Sequence, residues 1–404
     1  MKTNTITHID MDTFFVSCER LINPALAKKP VLVGGTSDRG VVASCSYEAR
    51  KFGVHAAMPM RLAKTLCPDA AIIQGDSSLY SKLSDVITEI IREKAPLYEK
   101  SSIDEFYIDL SGMDRFHGCY QWSHEIRQDI IKETGLPISF GLSSNKTVAK
   151  VATGEAKPNG KLQISHGTEK AFLAPLSVRK IPMIGPKNYE KFRALGVKHI
   201  GTIQQFPVEI MERVFGRYGI ALWKKAQGID ETPIIPYREK KSISVERTFE
   251  RDTADKTKLN SILTAMTESL AFQLRNANKL TACINIKIRY ADLNTYSKQA
   301  TIPYSSSDHI LVEKAKELFT SLYDRRLLIR LIGIRFSHLV GGGQQIRLFE
   351  DSEEMINLYS AMDKIRKKFG QTAVKHAIAM ESSNMSNENP FNGEPPVIPA
   401  HRRI

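Results

Sequence analysis

Two acid-bearing stretches in the first quarter of the chain hold residue types that can do chemistry. They are His8-Ile9-Asp10-Met11-Asp12-Thr13-Phe14-Phe15 and Ser101-Ser102-Ile103-Asp104-Glu105-Phe106-Tyr107-Ile108-Asp109. Both read as short buried strands in which Ile, Phe and Tyr flank carboxylates. An acid among apolar strand residues is costly unless it is paired, hydrogen-bonded or bound to a cation. Asp10, Asp104 and Glu105, at the ends of adjacent strands, would suit two Mg²⁺ ions, which prefer carboxylate and phosphate oxygen. Such a pair clamps the attacking and leaving oxygens of an in-line phosphoryl displacement. Either stretch alone reads better as an edge strand with solvated acids; the two together favour the metal pair.

Between them lies Val41-Val42-Ala43-Ser44-Cys45-Ser46-Tyr47-Glu48-Ala49-Arg50-Lys51-Phe52-Gly53. Ser44, Tyr47 and Arg50 are three apart, the spacing of one helix face. Two hydroxyls and a guanidinium suit a triphosphate. Further on, Gly141–Lys150 leads to Ala156-Lys157-Pro158-Asn159-Gly160, where Lys157 precedes a turn and can meet phosphate from a loop. A third stretch, Ile181-Pro182-Met183-Ile184-Gly185-Pro186-Lys187, reads as a tight turn between helices. Its amides and the next helix N-terminus suit a DNA phosphate, with Lys187 adding charge; an ordinary helical hairpin fits equally well.

The elements that carry these residues follow from periodicity. Strands 30–34, 41–45 and 138–142 alternate with helices from Ser17, over 78–94 and over roughly 122–134, which implies an α/β or α+β layer. Residues 166–233 read as short helices punctuated by Pro and Gly. Residues 232–241 read as a tether. The six elements that follow are strand 242–250, helix 258–276, strands 281–290 and 295–302, helix 308–323 and strand 328–338, the βαββαβ order of a ferredoxin-like split βαβ domain. Ile284, Ile286 and Ile288 alternate with Asn285, Lys287 and Arg289, leaving one polar, basic sheet face. From Gly341 the chain changes: a glycine run, an apolar peptide at 345–349, an amphipathic stretch over 355–369, then from about Ser382 a composition that cannot bury a core.

The chain has 404 residues, enough for several domains, with 42% hydrophobic and 25% charged residues, as in globular proteins. No run approaches the ~20 apolar residues of a membrane span, and the first residues lack the apolar run of a signal peptide. Five scattered cysteines without a CxxC pair argue against a disulfide framework or structural zinc and fit the cytoplasm. The net charge of +13 is unevenly spread. Residues 1–165 carry 20 Lys and Arg against 19 Asp and Glu, 166–233 carry 11 against 6, 234–343 carry 18 against 11, and 344–404 carry 8 against 8. Excess confined to the middle of the chain fits a grip on a phosphate backbone.

Taken jointly, the runs Asp10–Phe15, Ser44–Gly53, Ser101–Glu105, Asn145–Lys150, Ala156–Gly160 and Ile181–Lys187 resemble those of Y-family translesion DNA polymerases of the polymerase IV type, in the family's order, over about residues 5–350. The resemblance implies an α+β multidomain right hand. It divides into palm (1–18 and 78–165), fingers (19–77) and helical thumb with a helix-hairpin-helix turn (166–233). A linker (234–242), a ferredoxin-like little finger (243–340) and a tail (341–404) follow. It implies that Asp10, Asp104, Glu105 and the Met11 carbonyl hold two Mg²⁺ ions. Phe14, Phe15, Ser44, Tyr47, Arg50 and Lys157 would contact the dNTP, with Phe15 as the steric gate against a 2′-hydroxyl. Gly185 and Lys187 would meet DNA, and the family usually has Gly where Met183 stands. Gln345, Leu348 and Phe349 resemble a sliding-clamp peptide. The implied partners are primer-template DNA, dNTP and the clamp, with no membrane and a monomeric enzyme lacking proofreading.

Two other classes fit the residues less well. A nucleotidyl cyclase shares the chemistry but needs no DNA grip, against which the basic middle segments speak. A non-catalytic DNA-binding scaffold has no use for Asp104 and Glu105.

Overall fold

In the computed structural model the strand that carries Asp10, β1 (Ile6–Met11), is the centre of a five-stranded sheet. Residues 4–113, 118–342, 352–370 and 373–380 are described. The sheet runs β5 (Leu97–Lys100), β6 (Glu105–Asp109), β1, β7 (Ile138–Ser143), β8 (Lys161–Gln163). Successive strand residues face opposite ways. Ile9 and Met11 therefore enter a core with Ile87 and Ile91 of α4 (Ser77–Lys94) and Ile126 and Ile130 of α5 (Cys119–Thr134). His8 and Asp10 face the other side, where α6 (Lys146–Ala156) lies. Asn145 starts α6 by accepting the Val148 amide at 3.0 Å. The helix packs so closely that a Cβ at Gly141 would lie 2.4 Å from the Ala149 carbonyl oxygen.

Strand β1 stops at Met11, and α1 (Phe14–Ile22) starts three residues earlier than the expected Ser17. Thr13, at φ 45°, turns the chain between them. Similarly, 101–109 is not one strand: β6 begins at Glu105, and Asp104 sits in the bend before it.

A three-stranded sheet, β3 (Val42–Cys45), β2 (Val31–Gly34), β4 (Ala71–Ile73), shares its own small core with Met60 and Ala63 of α3 (Met60–Leu66). Helices α7 (Glu169–Leu173), α8 (Pro186–Ala194), α9 (Ile200–Gln205), α10 (Val208–Phe215) and α11 (Arg217–Ala226) enclose another around Phe192, Ile200 and Leu222. Glu99 fixes the segment that follows them. It accepts from Lys146 Nζ at 2.7 Å and from the Ile235 amide at 2.8 Å.

The chain divides into two units between Arg238 and Glu239. The second contains β9 (Ser242–Thr253), α12 (Lys256–Asn276), β10 (Lys279–Tyr290), β11 (Thr295–Ser305), α13 (Asp308–Leu322) and β12 (Ile329–Gly341). The βαββαβ element order is present, but the sheet order β11-β10-β12-β9 departs from a ferredoxin-like sheet. There the third strand fills the gap between the first two; here the fourth, β12, fills it. Pro303 in β11 agrees with this edge position, because a residue without an N–H belongs on an edge strand. β12, with Ile332, Ile334 and Phe336 fully buried or nearly so, suits the centre. Beyond it, α14 (Ser352–Phe369), in the stretch expected to be a tail, packs on this unit. Asp363 accepts from Arg275 Nε at 2.7 Å, and Tyr359 bonds His309 Nδ1 at 2.7 Å. Residues 345–349 and those from 382 onward lie outside the described residues. No disulfide joins the five cysteines. No helix among the described residues is long and apolar enough to cross a membrane.

Candidate active site

Antiparallel pairing sets Asp10 directly opposite Glu105. The Met11 amide donates to the Asp104 carbonyl at 3.1 Å, so all three acids share one end of the sheet. Cross-strand partners share a face. Asp10 and Glu105 both face α6, and each meets a lysine from it or from its C-terminal turn. Lys157 pairs with Asp10, and Lys150 Nζ lies 2.7 and 2.6 Å from the two Glu105 oxygens. The Ser102 hydroxyl donates to Asp104 at 2.5 Å.

Burial is the main force on Asp10, raising its pKa to about 7, with Lys157 opposing it and Glu105 and Asp104 adding repulsion. Burial likewise raises Asp104, Ser102 opposing and Glu105 adding. As the side chains stand, no three His, Cys, Asp or Glu among the described residues converge on an ion. The donor chemistry nevertheless fits a divalent cation. Three carboxylates crowd one sheet end, and two lysines now neutralise two of them. Turning those flexible ammonium groups away would free oxygen donors of the kind Mg²⁺ takes.

Ser44 lies on β3, not on a helix with Tyr47 and Arg50. The reason is Ser46, whose hydroxyl accepts the Ala49 amide at 3.3 Å and so starts α2 (Tyr47–Arg50) only after the strand. Tyr47 and Arg50 are together, the Arg50 guanidinium 4.9 Å from the Tyr47 ring centre. The Tyr47 hydroxyl donates to Asp12 at 3.1 Å, and burial, with Asp12 adding, raises its pKa. This bond ties Tyr47 to the chain just beyond the Asp10 strand. Phe15 is half-buried on α1, whereas the Phe14 ring is in the core.

In the 181–187 turn Met183 has φ 76°. This left-handed conformation favours Gly, the residue that the resemblance implies at this position. Tyr218 holds the turn by donating to the Met183 carbonyl at 2.6 Å. Gly185 is the N-cap of α8 and Lys187 is exposed. In the second unit, the sheet face turned from α12 and α13 bears cross-strand rows Ser244–Arg335–Asn285–Gln299 and Glu246–Gly333–Lys287–Ser297. They line a shallow groove of about 640 Å³.

Two family models match the chain: the impB/mucB/samB family over residues 9–154, and that family's C-terminal domain over 240–348. The chain belongs to this family, the Y-family of DNA-directed DNA polymerases. A DNA polymerase IV of Dehalococcoides mccartyi is 37% identical over 379 residues, covering 93% of this chain and 97% of that protein. One from Streptomyces coelicolor is 36% identical over 345 residues, 84% of this chain and 72% of that protein. One from Methanoculleus marisnigri is 36% identical over 341 residues, 83% and 95% respectively.

The structure adds residues that sequence reasoning did not single out. Lys150 faces Glu105, and Tyr80 of α4 stacks on Phe15 with ring centres 4.4 Å apart. Helical periodicity hid Tyr80 among Leu79 and Leu83. Lys150 sits seven residues before Lys157, two turns along the same face, a spacing that could have found it.

Proposed function

We propose that the chain adds dNTPs to a primer 3′ end opposite damaged template by two-metal nucleotidyl transfer, without proofreading and with low fidelity. The observation that carries this reading is the Asp10–Glu105 register with Asp104 beside it. Asp10, Asp104, Glu105 and the Met11 carbonyl would hold two Mg²⁺ ions. When bound, these supply positive charge where the 3′-hydroxyl ionises and the phosphates accumulate charge.

The protein's own groups position and select. Lys157, released from Asp10, swings to the triphosphate together with Tyr47, Arg50 and Ser44. The Phe14 backbone lies beside them, and the Phe15 ring closes the space a 2′-hydroxyl would need. The five-stranded sheet serves as palm, the β3-β2-β4 sheet as fingers, the helices of 166–233 as thumb and the second unit as little finger. Gly185 and Lys187 meet DNA phosphate. The polar sheet face with Lys287, Arg289 and Arg335 tracks the backbone. Gln345, Leu348 and Phe349 engage the sliding clamp. The enzyme acts as a monomer in the cytoplasm.

The test is extension of a primer past a template lesion that stalls replicative polymerases, with and without clamp. Extension that depends on Mg²⁺ and template supports the reading. A purified, folded protein that extends no primer on any template overturns it.

A further inference from the structure

Asp12 lies two residues beyond Asp10 and is almost fully buried, yet it faces no metal-binding partner. Its Oδ1 accepts from the Tyr47 hydroxyl at 3.1 Å and from the Ser139 hydroxyl at 3.2 Å. Its Oδ2 accepts from Ser139 at 2.9 Å and from the Asn159 amide at 2.6 Å. Neutral donors thus occupy both oxygens, which leaves this carboxylate poorly suited to ligate an ion. Asn159 is held from its other side by Arg127, whose Nη2 lies 2.6 Å from the Asn159 side-chain oxygen and 3.1 Å from its carbonyl.

We propose that Asp12 is a positioning residue that fixes, with one carboxylate, both Tyr47 and the turn after Lys157, and so sets the spacing of the two groups offered to the triphosphate. The two lie in different parts of the first unit, and Asp12 is the polar anchor they share. The inference rests on the function proposed above. A charged acceptor makes hydrogen bonds about twice as strong as a neutral one. Asp12→Asn keeps the size, retains one acceptor oxygen and turns the other into a donor that cannot accept the Asn159 amide.

The test measures dNTP affinity at equilibrium, with Mg²⁺ and a chain-terminated primer-template, so that no turnover is needed. Asp12→Asn should weaken dNTP binding roughly tenfold, ~1.4 kcal/mol, while DNA affinity stays unchanged. Tyr47→Phe should weaken it as well, and the double variant should lose less than the two single losses together, the sign of coupled groups. Ser139→Ala, which removes its bonds to both Asp12 oxygens and the bond it accepts from the Gly160 amide at 3.2 Å in the same turn, should shift dNTP affinity in the same direction. It serves as the readout if Asp12→Asn does not fold. Unchanged dNTP affinity in a folded Asp12→Asn or Ser139→Ala protein overturns the inference, as does strict additivity with Tyr47→Phe. If wild type extends primers while these variants behave like it, only this inference falls; if wild type neither binds dNTP nor extends, the proposed function falls with it.

Discussion

The rings of Phe15 and Tyr80 stack at 4.4 Å with planes 15° apart, and the Tyr80 hydroxyl donates to Glu19 at 2.5 Å. Tyr80 is thereby fixed at both ends of its side chain, and Phe15 inherits a single ring plane. A gate against a 2′-hydroxyl must be rigid, since a ring free to rotate would yield to the extra atom.

Phe15→Ala is therefore expected to raise rNTP use relative to dNTP use by at least about tenfold, the scale of one lost contact of ~1.4 kcal/mol. Tyr80→Ala should raise it less, and Tyr80→Phe, which keeps the stack, hardly at all. Single-nucleotide incorporation with matched rNTP and dNTP reads all three. If Phe15→Ala lowers both activities with no change in ratio, the ring is only core.

Asp10 links the site to stability. Its folded pKa of about 7 is raised above its unfolded value by burial. The folded state therefore binds the proton more tightly, and this group's contribution to stability falls as pH rises between roughly 4 and 7. Without metal, the stability of Asp10→Asn relative to wild type should rise as pH goes from 4 to 8, since the variant has no carboxylate to deprotonate. Urea unfolding in chelator at both pH values measures it. A gap that does not depend on pH would show that Asp10 is not strained in the folded state.

How much of this was legible in the sequence depends on what each residue competes with. Asp10, Asp104 and Glu105 stood out because a carboxylate in an apolar strand is costly unless a cation or a donor meets it. Asp12 carries the same signal as Asp10 within one short motif, and what separates an acid facing α6 lysines from one facing neutral donors is that β1 ends at Met11 and the chain turns at Thr13. The helix face expected for Ser44 failed because three-residue spacing says nothing of where a cap such as Ser46 restarts the chain. The six elements of the second unit were readable from periodicity, while their sheet order was not, since a β10–β11 hairpin can add its second strand on either side. Pro303 was the one hint, as a residue that belongs on an edge.

The acids themselves give a sharper expectation. Asp104→Asn or Glu105→Gln should abolish incorporation while DNA binding persists, because each removes a carboxylate that would hold a metal ion, and with it positive charge needed where the phosphates accumulate negative charge. Lys150→Ala should keep some activity and lower the Mg²⁺ needed for half-maximal rate, because it removes the ammonium that competes with a cation for Glu105. A lysine of no consequence would leave the metal titration unmoved. Extension near the wild-type rate by Asp104→Asn at saturating Mg²⁺ would end the metal-ligand assignment.

Met183 offers a test in the other direction. At φ 76° an L-residue with a Cβ is strained by roughly 1–2 kcal/mol, and glycine removes that strain at the cost of about 0.5–1 kcal/mol of chain entropy. Met183→Gly should therefore raise stability by up to about 1 kcal/mol, visible as a higher Tm, provided Tyr218 keeps its bond to the turn carbonyl. A lower Tm would mean that the exposed Met183 side chain contributes packing that its 68% exposure does not suggest.

The sheet face of the second unit yields the last prediction. Its outward rows carry Lys287, Arg289 and Arg335 against Glu246, and Lys287 is already paired with Glu246 at 2.6 Å. If this face tracks a phosphate backbone, each cation that meets a phosphate releases counterions and steepens the fall of affinity with salt by about 0.9 in the log–log slope. Arg289→Ala and Arg335→Ala should each flatten that slope by up to about one, with little effect on the rate of incorporation at low salt. Glu246→Ala should act oppositely, since it frees Lys287 for a phosphate and removes a repelling acid. Titrating primer-template binding against salt separates these outcomes. Equal slopes in wild type and Arg335→Ala would mean that the groove is solvated in the complex and that the basic middle of the chain grips DNA elsewhere, through Lys187 and its neighbours.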